Sequence, residues 1–133
     1  MFSPKVKKYL IKALNDSPRH FYQAKGSYSG MAKCPTNPGK NSEVSCTLMF
    51  SANRDMVTFM RCVNMGTPLL QAASNMLIEK AKGSDVAVIE EASRKEYICN
   101  FFGVSEDLYE SHGVWALTNA ANIALSSFND SKK

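Results

Sequence analysis

The chain predicts a small α+β fold: an N-terminal amphipathic helix, a two-stranded antiparallel ribbon, then a C-terminal cluster of four or five helices. Three observations carry this. Lysines and apolar residues are set at helical spacing near the N-terminus. Two stretches at 22–29 and 43–51 change to a period of two, with a turn-rich loop between them. From residue 53 the apolar residues recur at intervals of three and four.

The first helix has Ser3 as its cap and Pro4 at its first position. Val6, Tyr9, Leu10, Ala13 and Leu14 form an apolar stripe, and Lys5, Lys8 and Lys12 form a ridge on another face. Ser17-Pro18 ends it. In 22–29 the even positions are apolar or small and the odd ones mostly polar. In 43–51, Val44, Cys46, Leu48 and Phe50 point one way, and Ser45, Thr47 and Ser51 the other. Both read as half-buried antiparallel strands. Between them, Cys34-Pro-Thr-Asn-Pro-Gly-Lys-Asn-Ser reads as a polar loop. Its Gly39-Lys40 is followed by Asn41 and lacks the spaced glycine of a phosphate-binding loop.

Asn53 is a candidate cap for a helix carrying Met56, Phe59, Met60 and Val63, closed by Gly66. Thr67-Pro68 starts the next helix, with Leu69, Leu70, Ala73, Met76, Leu77 and Ala81 inward and Gly83 after its end. Asp85–Ile89 reads as a short strand or the opening of a helix that the Glu-rich stretch after it favours. A short helix follows Ser105. The last helix carries Leu117, Ala121, Ala124 and Phe128, and residues 130–133 form a frayed tail. The expected organisation is one domain over 1–133, with a basic helix and ribbon in 1–52 and a helical part in 53–129. A two-stranded ribbon is marginal alone, so a third strand from 85–89, a helix or a second copy must cover its edges.

Residues 95–109, with Ile98, Cys99, Phe102, Gly103, Val104, Ser105 and Tyr109, resemble the helix-turn-helix pattern of small phage-type repressors. That resemblance implies a DNA-reading helix from Ser105. The competing reading is a plain helix–glycine–helix corner. Cys99 stands where the pattern has alanine, and Glu106, Asp107 and Glu110 would repel phosphates.

No apolar run approaches the roughly 20 residues needed to cross a bilayer, and the N-terminus has no secretory pattern. Cys34, Cys46, Cys62 and Cys99 contain no C-x-x-C pair and read as free thiols in a cytoplasmic protein. With His20 and His112, Cys34 and Cys46 offer zinc-ligand types at no recognisable spacing, so no metal or other cofactor is expected. Ser111-His112 lacks a nucleophile elbow, and the adjacent Glu90 and Glu91 cannot face one another on a helix, so the chain does not read as an enzyme. Met49, Met56, Met60, Met65 and Met76 read as flexible core fillers more readily than as an adaptable binding surface.

Charge is unevenly spread. Residues 1–40 hold eight basic residues and one acid (8 − 1 = +7), and residues 41–133 hold eight and eleven (8 − 11 = −3). The expected function is therefore a self-associating protein-interaction module that docks on or inhibits a macromolecular target, in the manner of a phage or mobile-element protein. One alternative is nucleic-acid binding through Lys5, Lys8, Lys12, Arg19 and Lys25, with aromatics interleaved among the basic residues of 19–28. Another is capture of a nucleotide or small ligand at an oligomer interface.

Overall fold

The computed structural model describes residues 4–16, 27–36, 42–65 and 67–132; at 11–16, 34–36, 42–43 and 64–65 it describes the backbone alone. The order is α1 (Pro4–Asp16), β1 (Ser27–Thr36), β2 (Ser42–Asn53), β3 (Met56–Met65), α2 (Pro68–Ala81), α3 (Ala87–Ala92), α4 (Lys95–Phe102), α5 (Glu106–Ser111) and α6 (Trp115–Ser131). The α+β class holds, with one helix before the sheet and five after it among the described residues. The expected ribbon is instead a three-stranded antiparallel sheet in the order β1-β2-β3.

The added strand is the stretch expected to be helical. Asn53 caps nothing; it ends β2 and pairs with Met56 across a hairpin in which Arg54 has φ 58°. Thr58 has no place in the register, because Ser51 pairs with Phe59 while Ala52 pairs with Val57. That bulge shifts the alternation by one residue, so Val57 and then Met60 and Cys62 are buried. Phe59 and Val63 are apolar on the opposite face. A slipped period of two with apolar residues on both faces imitates a period of 3.6. The β-branched and aromatic content of Val57, Thr58, Phe59 and Val63 was the better guide.

β1 is also displaced from its expected bounds. It runs from Ser27 to Thr36, through the stretch read as a loop, and residues 17–26 lie outside the described ones. Pro35 is tolerated because β1 is hydrogen-bonded to β2 alone among the described strands. In β2 the expected alternation is observed: Val44, Cys46, Leu48 and Phe50 are buried, while Ser45, Thr47 and Ser51 are half-buried on the other face. Asp85 makes a single bridge to Met56 before α3 begins at Ala87, so the suspected strand at 85–89 is one bridge long.

The helices cover one face of the sheet. α6 lies along β1 and β2, and α2 packs against β3 and α1. Val6 and Tyr9 of α1 are buried; Tyr9 hydroxyl donates to Glu79 Oε1 (3.2 Å), and Asn75 Nδ2 donates to the Tyr9 carbonyl (3.2 Å). The expected Ser3 cap lies outside the described residues. Tyr28, Phe50 and Phe128 form an aromatic trio with centroids 5.1–5.7 Å apart, joining β1, β2 and α6. Met60 and Met76 fill the core, Met49 is buried on the sheet's other face, and Met31 and Met56 are exposed, so the reading as core fillers holds for two of the methionines described.

Gly103, in the left-handed region at φ 66°, ends α4. Ser105 caps α5 by accepting from Leu108 N–H (3.2 Å), and Ile98, Phe102 and Tyr109 are buried beneath the turn. Thr118 Oγ1 donates to the Ser93 carbonyl (2.7 Å). Its one proton is thereby used, so Tyr109 hydroxyl is the donor in the 2.7 Å contact with Thr118. Helices α3, α5 and α6 are tied together by that chain. No described helix is long and apolar enough to cross a membrane.

Candidate functional site

Two of the chain's ligand-type residues, Cys34 and His112, lie toward one end of the sheet. Across it, Lys33 pairs with Ser45 and Ser45 with Met65, and the next β1 residue is Cys34, opposite Val44. With strands about 4.8 Å apart, Lys33 and Met65 stand roughly 10 Å from each other. β3 ends at Met65 and α2 begins three residues later, at Pro68. Thr67 there is a cap: its Oγ1 accepts from Leu70 N–H (3.3 Å) and donates to the His112 carbonyl (2.8 Å). This bond fastens the α5–α6 junction to the start of α2. His112 precedes Gly113, whose φ of 69° makes the corner into α6.

Cys34, Thr67 and His112 are therefore brought to one end of the molecule from positions separated by 112 − 34 = 78 residues. His112 is half-buried, and desolvation lowers its pKa from the ordinary imidazole value. Its ring is neutral at physiological pH, the form able to ligate a metal. Among the described residues no group of three His, Cys, Asp or Glu side chains could hold a metal ion. Cys46 is buried on the sheet's helix-covered face, and the register makes it a diagonal neighbour of Cys34, since Cys34 is opposite Val44 and Cys46 opposite Ala32. His20 lies outside the described residues. Cys99, half-buried on α4, has its Sγ 3.9 Å from the Ser105 carbonyl. Burial raises its pKa most, and Glu106 and Glu96 also raise it, against Lys95.

The basic candidates lie elsewhere. Lys5 Nζ sits 4.3 Å from the centroid of Phe101 and Lys80 Nζ 5.3 Å from the same ring; Lys8 Nζ is 5.5 Å from that of Tyr9. Lys80 is 13 residues along α2 from Thr67, about 20 Å at helical rise. The structure describes only the backbone of Lys12, and Arg19 and Lys25 lie outside the described residues. A cleft of about 310 Å³ opens at the other end of the sheet between Asn53, Arg54, Asp55, Met56 and Asp85, and Lys132 pairs with Asp55 there.

No family model matches the chain, and no curated protein matches it. Solved structures do match. One is an iron–sulfur cluster assembly scaffold protein for the SUF system from the thermophile Fervidobacterium islandicum AW-1. It is 16% identical with a TM-score of 0.57, over 90% of this chain and 96% of that one. Another is the N-terminal part of a nitrogen-fixing NifU-like protein from Brucella abortus. It is 12% identical with a TM-score of 0.61, over 95% of this chain and 96% of that one. At these identities the likeness is one of fold, and it extends along nearly the whole of each chain.

This likeness corrects the function expected from charge and composition. An inhibitor or docking module of phage type does not accord with the scaffold-protein fold, nor do its alternatives of nucleic-acid binding and small-ligand capture. The charge split was misleading because a surplus of lysines reports a field and not a partner. Two of the five basic candidates are placed over aromatic rings, Lys5 over Phe101 and Lys8 over Tyr9.

Proposed function

We propose that this chain takes part in iron–sulfur cluster assembly as a scaffold-type protein, holding a cluster or its components as cargo and passing them to a protein partner. The observation that carries the reading is the fold shared with two such proteins over nine-tenths or more of every chain compared. The sheet end supports it, since a cysteine and a neutral histidine are the donor types that iron and sulfide chemistry uses. The described side chains do not complete a ligand set. We therefore place the cargo near Cys34, toward the end of β1, and the start of α2. Holding and transfer need no catalytic step by the chain, and thiol ligands suit a reducing compartment such as the cytosol. Lys5, Lys8, Lys12, Arg19 and Lys25 are assigned in this reading to an acidic protein partner or a second copy.

Anaerobic reconstitution with ferrous iron and sulfide tests the proposal. The expected outcome is a visible absorption envelope from sulfide-bridged iron, with iron retained through gel filtration. Cys34→Ser should abolish it, and Cys99→Ser should leave it intact. A wild-type chain that retains no iron would overturn cluster holding.

A further inference from the structure

Three helices bring lysines and aromatic rings together on one surface. On α4, Tyr97 and Phe101 are four residues apart and share a face, while Ile98 and Phe102 turn into the core. The rings of Tyr97 and Phe101 stack, with centroids 6.1 Å and planes 11° apart, and both stay half-buried at the surface. Tyr9 of α1 meets Phe101 edge-on at 5.7 Å. Lys5 from α1 and Lys80 from the last turn of α2 reach the same ring, with Nζ 4.3 and 5.3 Å from its centroid, and Lys8 lies over Tyr9. All three lysines are exposed, and none forms an ion pair among the described residues.

The ammoniums of Lys5 and Lys80 are thus less than about 10 Å apart. The screening length is about 8–10 Å near physiological salt, so their repulsion persists in part and a shared counter-charge is favourable. The ring quadrupole offsets some of that repulsion, which is why both sit there. Glu79, beside Lys80 in the chain, accepts the Tyr9 hydroxyl instead.

Charge alone names no partner, but charge and ring together narrow the choice. We propose that this surface docks an acidic segment of a protein partner. Its carboxylates pair with Lys5, Lys8 and Lys80, and an apolar side chain of the same segment covers Tyr97 and Phe101. A nucleic-acid base would have to displace two ammoniums to stack on Phe101. A bilayer would need a free apolar helix face, and α1 buries its own in the core through Val6 and Tyr9. The inference rests on the reading that cargo passes to a protein partner, and it says where that partner is held. Lys80 is about 20 Å along α2 from Thr67, so a docked segment leaves the cargo end open.

The test is a fluorescence-anisotropy titration of the full, metal-free chain with a labelled peptide alternating Glu and Leu. The comparisons are its Gln–Leu counterpart, a labelled oligonucleotide and phosphatidylserine vesicles. The acidic peptide should bind saturably and more tightly than all three. Lys5→Gln/Lys80→Gln should weaken it at least about fivefold, as two exposed pairs of modest strength allow. Lys33→Gln/Lys132→Gln removes the same charge elsewhere and should stay within about twofold. All four side chains are exposed, so the core is left intact. Equal losses in the two variants, no binding of the acidic peptide, or tighter binding of any comparison would overturn the proposal. So would a self-association that Lys5→Gln/Lys80→Gln abolishes, since the surface would then belong to a second copy. Neither iron nor sulfide is used, so a failure here leaves cluster holding standing, and a chain that retains no iron can still pass this test.

Discussion

His112 carries a pH dependence with a definite sign. Burial lowers its pKa, so the unfolded chain takes up a proton there before the native one does. Its contribution to stability is intact above the unfolded value, about 6.5, and is lost as pH falls through the folded value. Thermal midpoints measured between about pH 7.5 and 5.5 should fall more steeply for the wild type than for His112→Gln, whose amide does not titrate. Parallel slopes would count against this. Phe50 makes the second prediction at this scale. It is fully buried, with its ring against those of Tyr28 and Phe128. Phe50→Ala should cost about 3–5 kcal/mol in chemical denaturation.

At the level of elements, the closest approach is α6 over β1. A Cβ on Gly30 would lie 2.2 Å from the Ala120 carbonyl oxygen, 2.7 Å from Ile123 Cβ and 2.8 Å from the Ala124 nitrogen. Two of those atoms are backbone, so α6 itself must move. Gly30→Ala should destabilise by about 1–3 kcal/mol or more, read from denaturant midpoints, even though alanine suits a strand better than glycine. Much of this architecture was legible in the sequence. Thr67-Pro68 gave the start of α2, Leu117 to Phe128 gave α6, and Val44 to Phe50 gave the buried face of β2. β3 was not legible, since the bulge at Thr58 breaks the alternation that identifies a strand. The end of β1 was not legible either, because Pro35 reads as a turn unless the strand is known to lie at an edge. The site was hidden for another reason. Cys34 and His112 belong to no motif of fixed spacing, and only the sheet register together with the Thr67 bond brings them to one end. The Thr67 cap was the one local signal, and it was read as a helix start alone.

For the molecule as a whole, sheet and last helix should open together. β1, β2 and α6 share the aromatic trio and the Gly30 contact, so native-state hydrogen exchange should report one common opening free energy for their amides. Distinct values would mean that α6 unfolds by itself.

The helix seated on Gly30 also sets an order of events. Gly30 and Ala120 are 120 − 30 = 90 residues apart, so β1 meets its cover only after a further 90 residues have been made. During synthesis from the N-terminus, the hairpins can pair early, but their apolar side faces water until α6 emerges. The growing chain passes through a stage in which a sticky surface has no lid, and its final closure waits on the slow search for a distant partner. Such a chain has reason to need a chaperone while it is being made, whatever its stability once complete.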